Sequence, residues 1–111
     1  MEIIITADIL VGIFDEEVIK YAVKLEYGDA GRDFLRTAYD SHLPEITEFV
    51  EREYCKVLDS MMDKRTNYTV KNARRSIGEF VVKLIKDKII EKNIIKTGRM
   101  LKSIEAKINE S

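Results

Sequence analysis

The sequence predicts an α+β fold: a small antiparallel sheet built from the N-terminal and C-terminal strands, packed against two or three longer helices. Three observations carry that expectation. Residues 3–14 alternate with period two, apolar positions between 34 and 89 recur at spacings of three and four, and residues 104–109 return to period two. A chain of 111 residues is expected to form one domain, 1–111, around a single modest core.

Composition narrows the class. Hydrophobic residues make up 45% and charged residues 35%, the balance of a folded chain rather than a disordered one. No apolar run approaches the roughly 18–20 residues that a membrane span needs, so no membrane partner is expected. The apolar start carries Glu2 and Asp8 and lacks a basic lead, which makes it a poor signal peptide. Cys55 stands alone, so no disulfide can form within the chain, and a reducing cytoplasm is the natural place of assembly. It reads as a small packing residue rather than a nucleophile.

In chain order, Ile3, Ile5, Ala7, Ile9, Val11 and Ile13 share one face of an extended segment, with Ile4, Thr6, Asp8, Leu10, Gly12 and Phe14 on the other. One long or slightly bulged strand is the favoured reading, with Gly12 at the bulge or close approach. A turn at Asp8, splitting the run into a hairpin of Glu2–Ala7 and Leu10–Phe14, is the alternative. Asp15 reads as the N-cap of a helix whose first turn holds Glu16 and Glu17 near the positive dipole end. Val18, Ile19, Ala22, Val23 and Leu25 give this helix a loose apolar face, and Gly28 is placed to end it. The Gly28-Asp29-Ala30-Gly31 stretch is a loop, too short for a phosphate-binding glycine motif.

Helical spacing resumes at Asp33, through Phe34, Leu35, Ala38 and Tyr39, then Leu43, Ile46, Phe49, Val50, Val57, Leu58, Met61 and Met62. Pro44 fits the first turn of a new helix capped by Ser41, which places a break at 40–43. Glu48 and Arg52 form an outward i,i+4 pair. After a polar turn over 63–68, Thr69 caps a helix with the apolar face Val70, Ala73, Ile77, Phe80, Val81, Leu84, Ile85 and Ile89. Its outer row, Arg75, Glu79, Lys83 and Asp87, alternates in sign as a solvated surface does. Near the end, Thr97 caps a short helix beginning at Gly98, with Leu101 and Ile104 turned inward. Ile104, Ala106 and Ile108 then form a closing strand able to pair with the N-terminal one.

The formal net charge of −1 hides an asymmetry. Residues 1–63 hold 15 acidic and 6 basic side chains, a net −9, whereas residues 64–111 hold 5 acidic and 13 basic, a net +8. Such halves can pair within the chain or between copies, and head-to-tail contacts close into rings when the rotation permits. Chemistry is not expected. His42 is the sole histidine, the paired Glu16 and Glu17 suit a helix start, and no ligand spacing suggests a metal or cofactor.

The ordered blocks VGIF, YAVKLEYG, DFLRTAYD, IGEFVVKLIKDKI and TGRMLKSI resemble the small neck or tail-completion proteins of tailed phages, also called head–tail joining proteins. The resemblance runs from about Val11 to Ile104. Tyr21, Ala22, Glu26, Tyr27 and Gly28 match a YA-and-E-aromatic-G block, Phe34, Leu35 and Arg36 an aromatic-Leu-Arg block, and Thr97, Gly98, Ser103 and Ile104 a TG-and-SI block. The family's Pro-rich approach to the second block is replaced here by residues 29–33, and the segment before the third is short, at 91–96.

The resemblance implies a structural virion protein, assembled in the host cytoplasm, that forms a homo-oligomeric ring at the head–tail junction, with six copies as the suggested number. Its implied partners are copies of itself, head-completion or connector proteins and tail-terminator or tail-tube proteins, with non-specific contact to DNA in the lumen. Tyr27, Gly28, Arg32, Phe34, Arg36, Thr97 and Gly98 are the candidate interface residues, Arg32 and Arg36 foremost, although either arginine alone also reads as ordinary solvated surface. A tail-terminator ring is one alternative. The other is a small nucleic-acid-binding domain using Lys64, Arg65, Lys71, Arg74 and Arg75, which would supply phosphate affinity without base reading.

Overall fold

The apolar N-terminal run meets its pairing requirement inside the chain. In the structure, a computed structural model describing residues 1–27, 34–63, 65–91 and 98–109, this run folds back as a hairpin of β1 (Glu2–Thr6) and β2 (Ile9–Ile13). The favoured single strand is thus corrected to the hairpin alternative. Asp8 explains the break. Its amide donates to Thr6 Oγ1 at 3.2 Å, its carbonyl accepts from Asn109 N–H at 2.9 Å, and its carboxylate holds the Arg74 guanidinium at 3.0 Å. The register shifts between Ile4 and Thr6, so the irregularity sits on β1 rather than at Gly12. Gly12 is nonetheless the expected close approach: a Cβ there would collide with the Met1 carbonyl and lie 2.6 Å from Glu2 Cα.

The helices follow as α1 (Glu16–Tyr27), α2 (Leu35–Ser41), α3 (Leu43–Met62), α4 (Val70–Glu91) and α5 (Gly98–Ser103), and β3 (Ile104–Ile108) closes the chain. β3 pairs antiparallel with β2, giving a three-stranded sheet ordered β1-β2-β3. The α+β arrangement joining N-terminal and C-terminal strands is therefore present. Ile9, Val11, Ile13 and Ile104 present one sheet face to Ile77, Val81, Ile85 and Ile89 of α4, all of them buried. Contact there is close enough that a Cβ on Gly78 would stand 2.7 Å from the Ala106 Cβ. Glycine lets the α4 backbone rest on β3.

Asp15 caps α1 as expected, its Oδ1 accepting from the Glu17 amide at 3.0 Å, and Thr69 caps α4 through the Asn72 amide at 3.2 Å. The break before Pro44 is confined to His42, whose carbonyl accepts the Ile46 N–H. Ser41 does not cap α3; it is the last residue of α2, and no side chain caps α3. α3 and α4 run antiparallel, with Phe49 stacked on Phe80 at a ring-centroid distance of 4.2 Å. This helical hairpin makes the molecule long, 50 × 26 × 22 Å. Its far end outruns the sheet, which corrects the inward placement of Leu58, Met61, Met62 and Val70: all four are exposed, and the buried row of α4 starts only at Ala73.

Candidate assembly surface

α1 ends in a buried acid. Glu26, at 2% exposure, extends its carboxylate across to the start of α2. Oε1 accepts the Phe34 and Leu35 amides, each at 2.9 Å, and Oε2 accepts the Arg36 amide at 3.1 Å. The first N–H groups of a helix lack partners within it, and Phe34 at the cap position supplies none from its side chain. Glu26 therefore caps α2 from eight or more residues upstream, placing a negative charge where the helix dipole favours it. Arg36 closes the corner, its Nε donating to Glu26 Oε2 at 3.1 Å and its Nη2 to the Glu26 carbonyl at 3.3 Å. The same guanidinium lies 4.9 Å from the centre of the exposed Tyr27 ring.

Of the interface residues expected from sequence, Tyr27 and Arg36 thus meet at one surface corner, while Phe34 is fully buried and packs within this chain rather than facing a partner. Gly98 opens α5, which packs on α1. Gly28, Arg32 and Thr97 lie outside the described residues. Sequence reasoning gave Glu26 no contact role. The available signal was an apolar cap position at Phe34, which leaves α2 in need of an acceptor from elsewhere.

Among the described residues, the sheet ends in two unpaired edges. Met1 and Ile13 exchange both backbone hydrogen bonds, at 2.8 and 3.2 Å. Since such pairs alternate along an antiparallel ladder, the Glu2 and Ile4 backbone groups point away from β2. On the other side, Asn109 N–H bonds Asp8, so Glu105 and Lys107 face β2 while Ile104, Ala106 and Ile108 turn their backbone groups outward. β1 carries no Lys or Pro to guard its edge, and Ile4 is 66% exposed. Beside β3, α4 and α5 complete a groove of about 770 Å³ with Val82, Ile90, Leu101, Ala106 and Ile108 as its apolar lining, rimmed by charged residues that include Lys83, Lys86 and Glu105.

The basic cluster proposed for phosphate binding is partly engaged within the chain. Arg74, 18% exposed along its side chain, donates to the Asn109 carbonyl at 2.7 Å and to Asp8 at 3.0 Å, tying α4 to the end of the sheet where the β1–β2 turn meets the end of β3. Arg65 pairs with Asp63 at 3.3 Å, and Lys64 lies outside the described residues. This is one place where the acidic and basic halves pair internally. Cys55 is exposed, which corrects its reading as a packing residue. Among the described residues, no group of three or more His, Cys, Asp or Glu converges as metal ligands.

A second buried acid locks α3 to α4. Glu53 accepts from Tyr68 Oη at 2.7 Å, Ser76 Oγ at 2.9 Å and Lys56 Nζ at 3.4 Å. Burial alone would raise its pKa, but the hydrogen bonds from Tyr68, Ser76 and Lys56 outweigh it and hold the carboxyl below the ordinary glutamate value. Tyr68 moves the opposite way, raised by burial and by its bond to Glu53.

Comparison of the chain with protein-family models, curated proteins and solved structures returns no match.

Two predictions arise from the buried acids. Glu26→Ala leaves three amides at the start of α2 without an acceptor and should lower stability by about 2–4 kcal/mol in urea unfolding, with Glu26→Gln roughly halving that loss. Unchanged midpoints in both variants would show that the carboxylate does not hold the corner. For Glu53, a depressed folded pKa means a contribution fully present above the unfolded glutamate value, about 4.3, and lost as pH falls through the lower folded value. Melting temperatures recorded from neutral to acid pH should fall in that range for the wild type, and Glu53→Gln should melt lower at neutral pH with a flatter acid limb.

Proposed function

We propose that this protein is a structural virion component of a tailed phage, a neck or tail-completion subunit that acts as a homo-oligomeric ring at the head–tail junction. The observation that carries this reading is the Glu26 corner. The first two blocks of the family resemblance, YAVKLEYG and DFLR, are joined by the bonds from Glu26 to Phe34, Leu35 and Arg36. The third, TGRMLKSI, supplies α5 against α1. Blocks that lie far apart in sequence belong to one end of the molecule, so their order has a physical reason.

A ring subunit needs two different surfaces, one for each neighbour. Opposed charge in the two halves and open edges on both sides of the sheet support that requirement. The neighbouring partners are connector or head-completion proteins on one side and tail-terminator or tail-tube proteins on the other. Engagement of Arg74 with Asp8 and Asn109 leaves the nucleic-acid reading with less free basic surface.

The test is mass measurement by light scattering on the purified chain, combined with negative-stain imaging. A closed ring of fixed copy number is the expected result. A monomer at every concentration, also absent from purified particles of the phage encoding it, would overturn the proposal.

A further inference from the structure

Among the described residues, nothing lies against the outer edge of β3 in the groove beside it. Here the helix layer extends past the last strand: Val82 and Ile90 of α4 and Leu101 of α5 line the groove together with Ala106 and Ile108. Backbone groups of Ala106 and Ile108 point into this space, and no described residue of the chain pairs with them. An extended segment laid there would gain ladder hydrogen bonds from β3 and an apolar bed from α4.

We infer that the occupant is β1 of a second copy of this chain, so that successive sheets join edge to edge, β3 of one copy to β1 of the next. This rests on the ring reading above and names its contact. β1 offers what the groove lacks. Its outer edge presents the Glu2 and Ile4 backbone groups, and its middle is three consecutive isoleucines without a guarding charge or proline. Ile3 and Ile5, only partly buried in one copy, are on the helix-facing side of the sheet and would extend the apolar row of Ile104, Ala106 and Ile108. The groove's charged lining is balanced, Arg75, Lys83 and Lys86 against Glu79, Asp87 and Glu105, so the match rests on the open backbone edge and the apolar bed. The two edges differ, so the contact is heterologous and leaves one free edge at each end until a ring closes.

The test uses two full-length variants, each disabling one side. Ile4→Pro removes an N–H that points away from β2, leaving the internal ladder intact, as edge prolines do. Ile90→Glu places a charge in the groove at an already exposed position. Circular dichroism and thermal melting confirm that both fold.

Each variant alone should be monomeric by light scattering, with association weakened by at least about tenfold. Mixed, they should form a one-to-one heterodimer that does not extend, because one intact edge meets one intact groove. If the wild type forms rings and both variants also do, the edge contact is wrong while the ring reading stands. If the wild type never self-associates, both fail. Rescue by a foreign peptide, without a heterodimer in the mixture, would assign the groove to another protein and overturn the inference.

Discussion

The arrangement depends on a buried carboxylate that belongs to one helix and completes another. Without Glu26, α2 would begin with three amides facing an apolar corner, since Phe34 fills the cap position and is itself core. Because Arg36 returns a bond to Glu26, a charge buried at the end of α1 is compensated, and both helix ends are held at a fixed distance. That distance fixes where Tyr27 stands relative to Phe34. α2 in turn touches β1 and α4, so the corner sets how the first edge of the sheet meets the helix layer.

The same economy recurs elsewhere. Asp8 forms the hairpin turn and also anchors Arg74 and the end of β3, so one residue ties the first strand pair to the last strand and to α4. Glu53 gathers Tyr68, Ser76 and Lys56 between α3 and α4. Three acids of the first half are thus committed to internal work, each with a cation beside it, Arg36, Arg74 and Lys56. The charge asymmetry is consumed in part within the molecule, and the remainder is what a neighbour could meet.

Elements whose signal is local were legible in the sequence. Asp15 and Thr69 announced helix starts through side-chain caps, the α4 row from Ala73 to Ile89 had an unbroken period, and Ile104–Ile108 alternated cleanly. What escaped was set by tertiary partners. Period two could not say whether residues 3–14 form one strand or two, because alternation continues through a short turn; the bonds of Asp8 decide it. Leu58, Met61 and Met62 kept helical spacing beyond the reach of the sheet, so periodicity overstated their burial. The Glu26 contacts span eight to ten residues and cross the end of a helix, where no simple spacing rule operates. Of the candidate interface residues, Tyr27 and Arg36 are exposed, whereas Phe34 is drawn into the core by its aromatic bulk.

On the edge-to-edge proposal, the sheet of one copy is completed by the next. Amide hydrogen exchange, followed residue by residue as protein concentration rises, addresses it directly. The outward amides of Ile4, Ala106 and Ile108 have no acceptor among the described residues, so they should exchange quickly in dilute protein and become protected together on assembly. Assembly that leaves these three amides as fast as in the dilute chain would contradict the account.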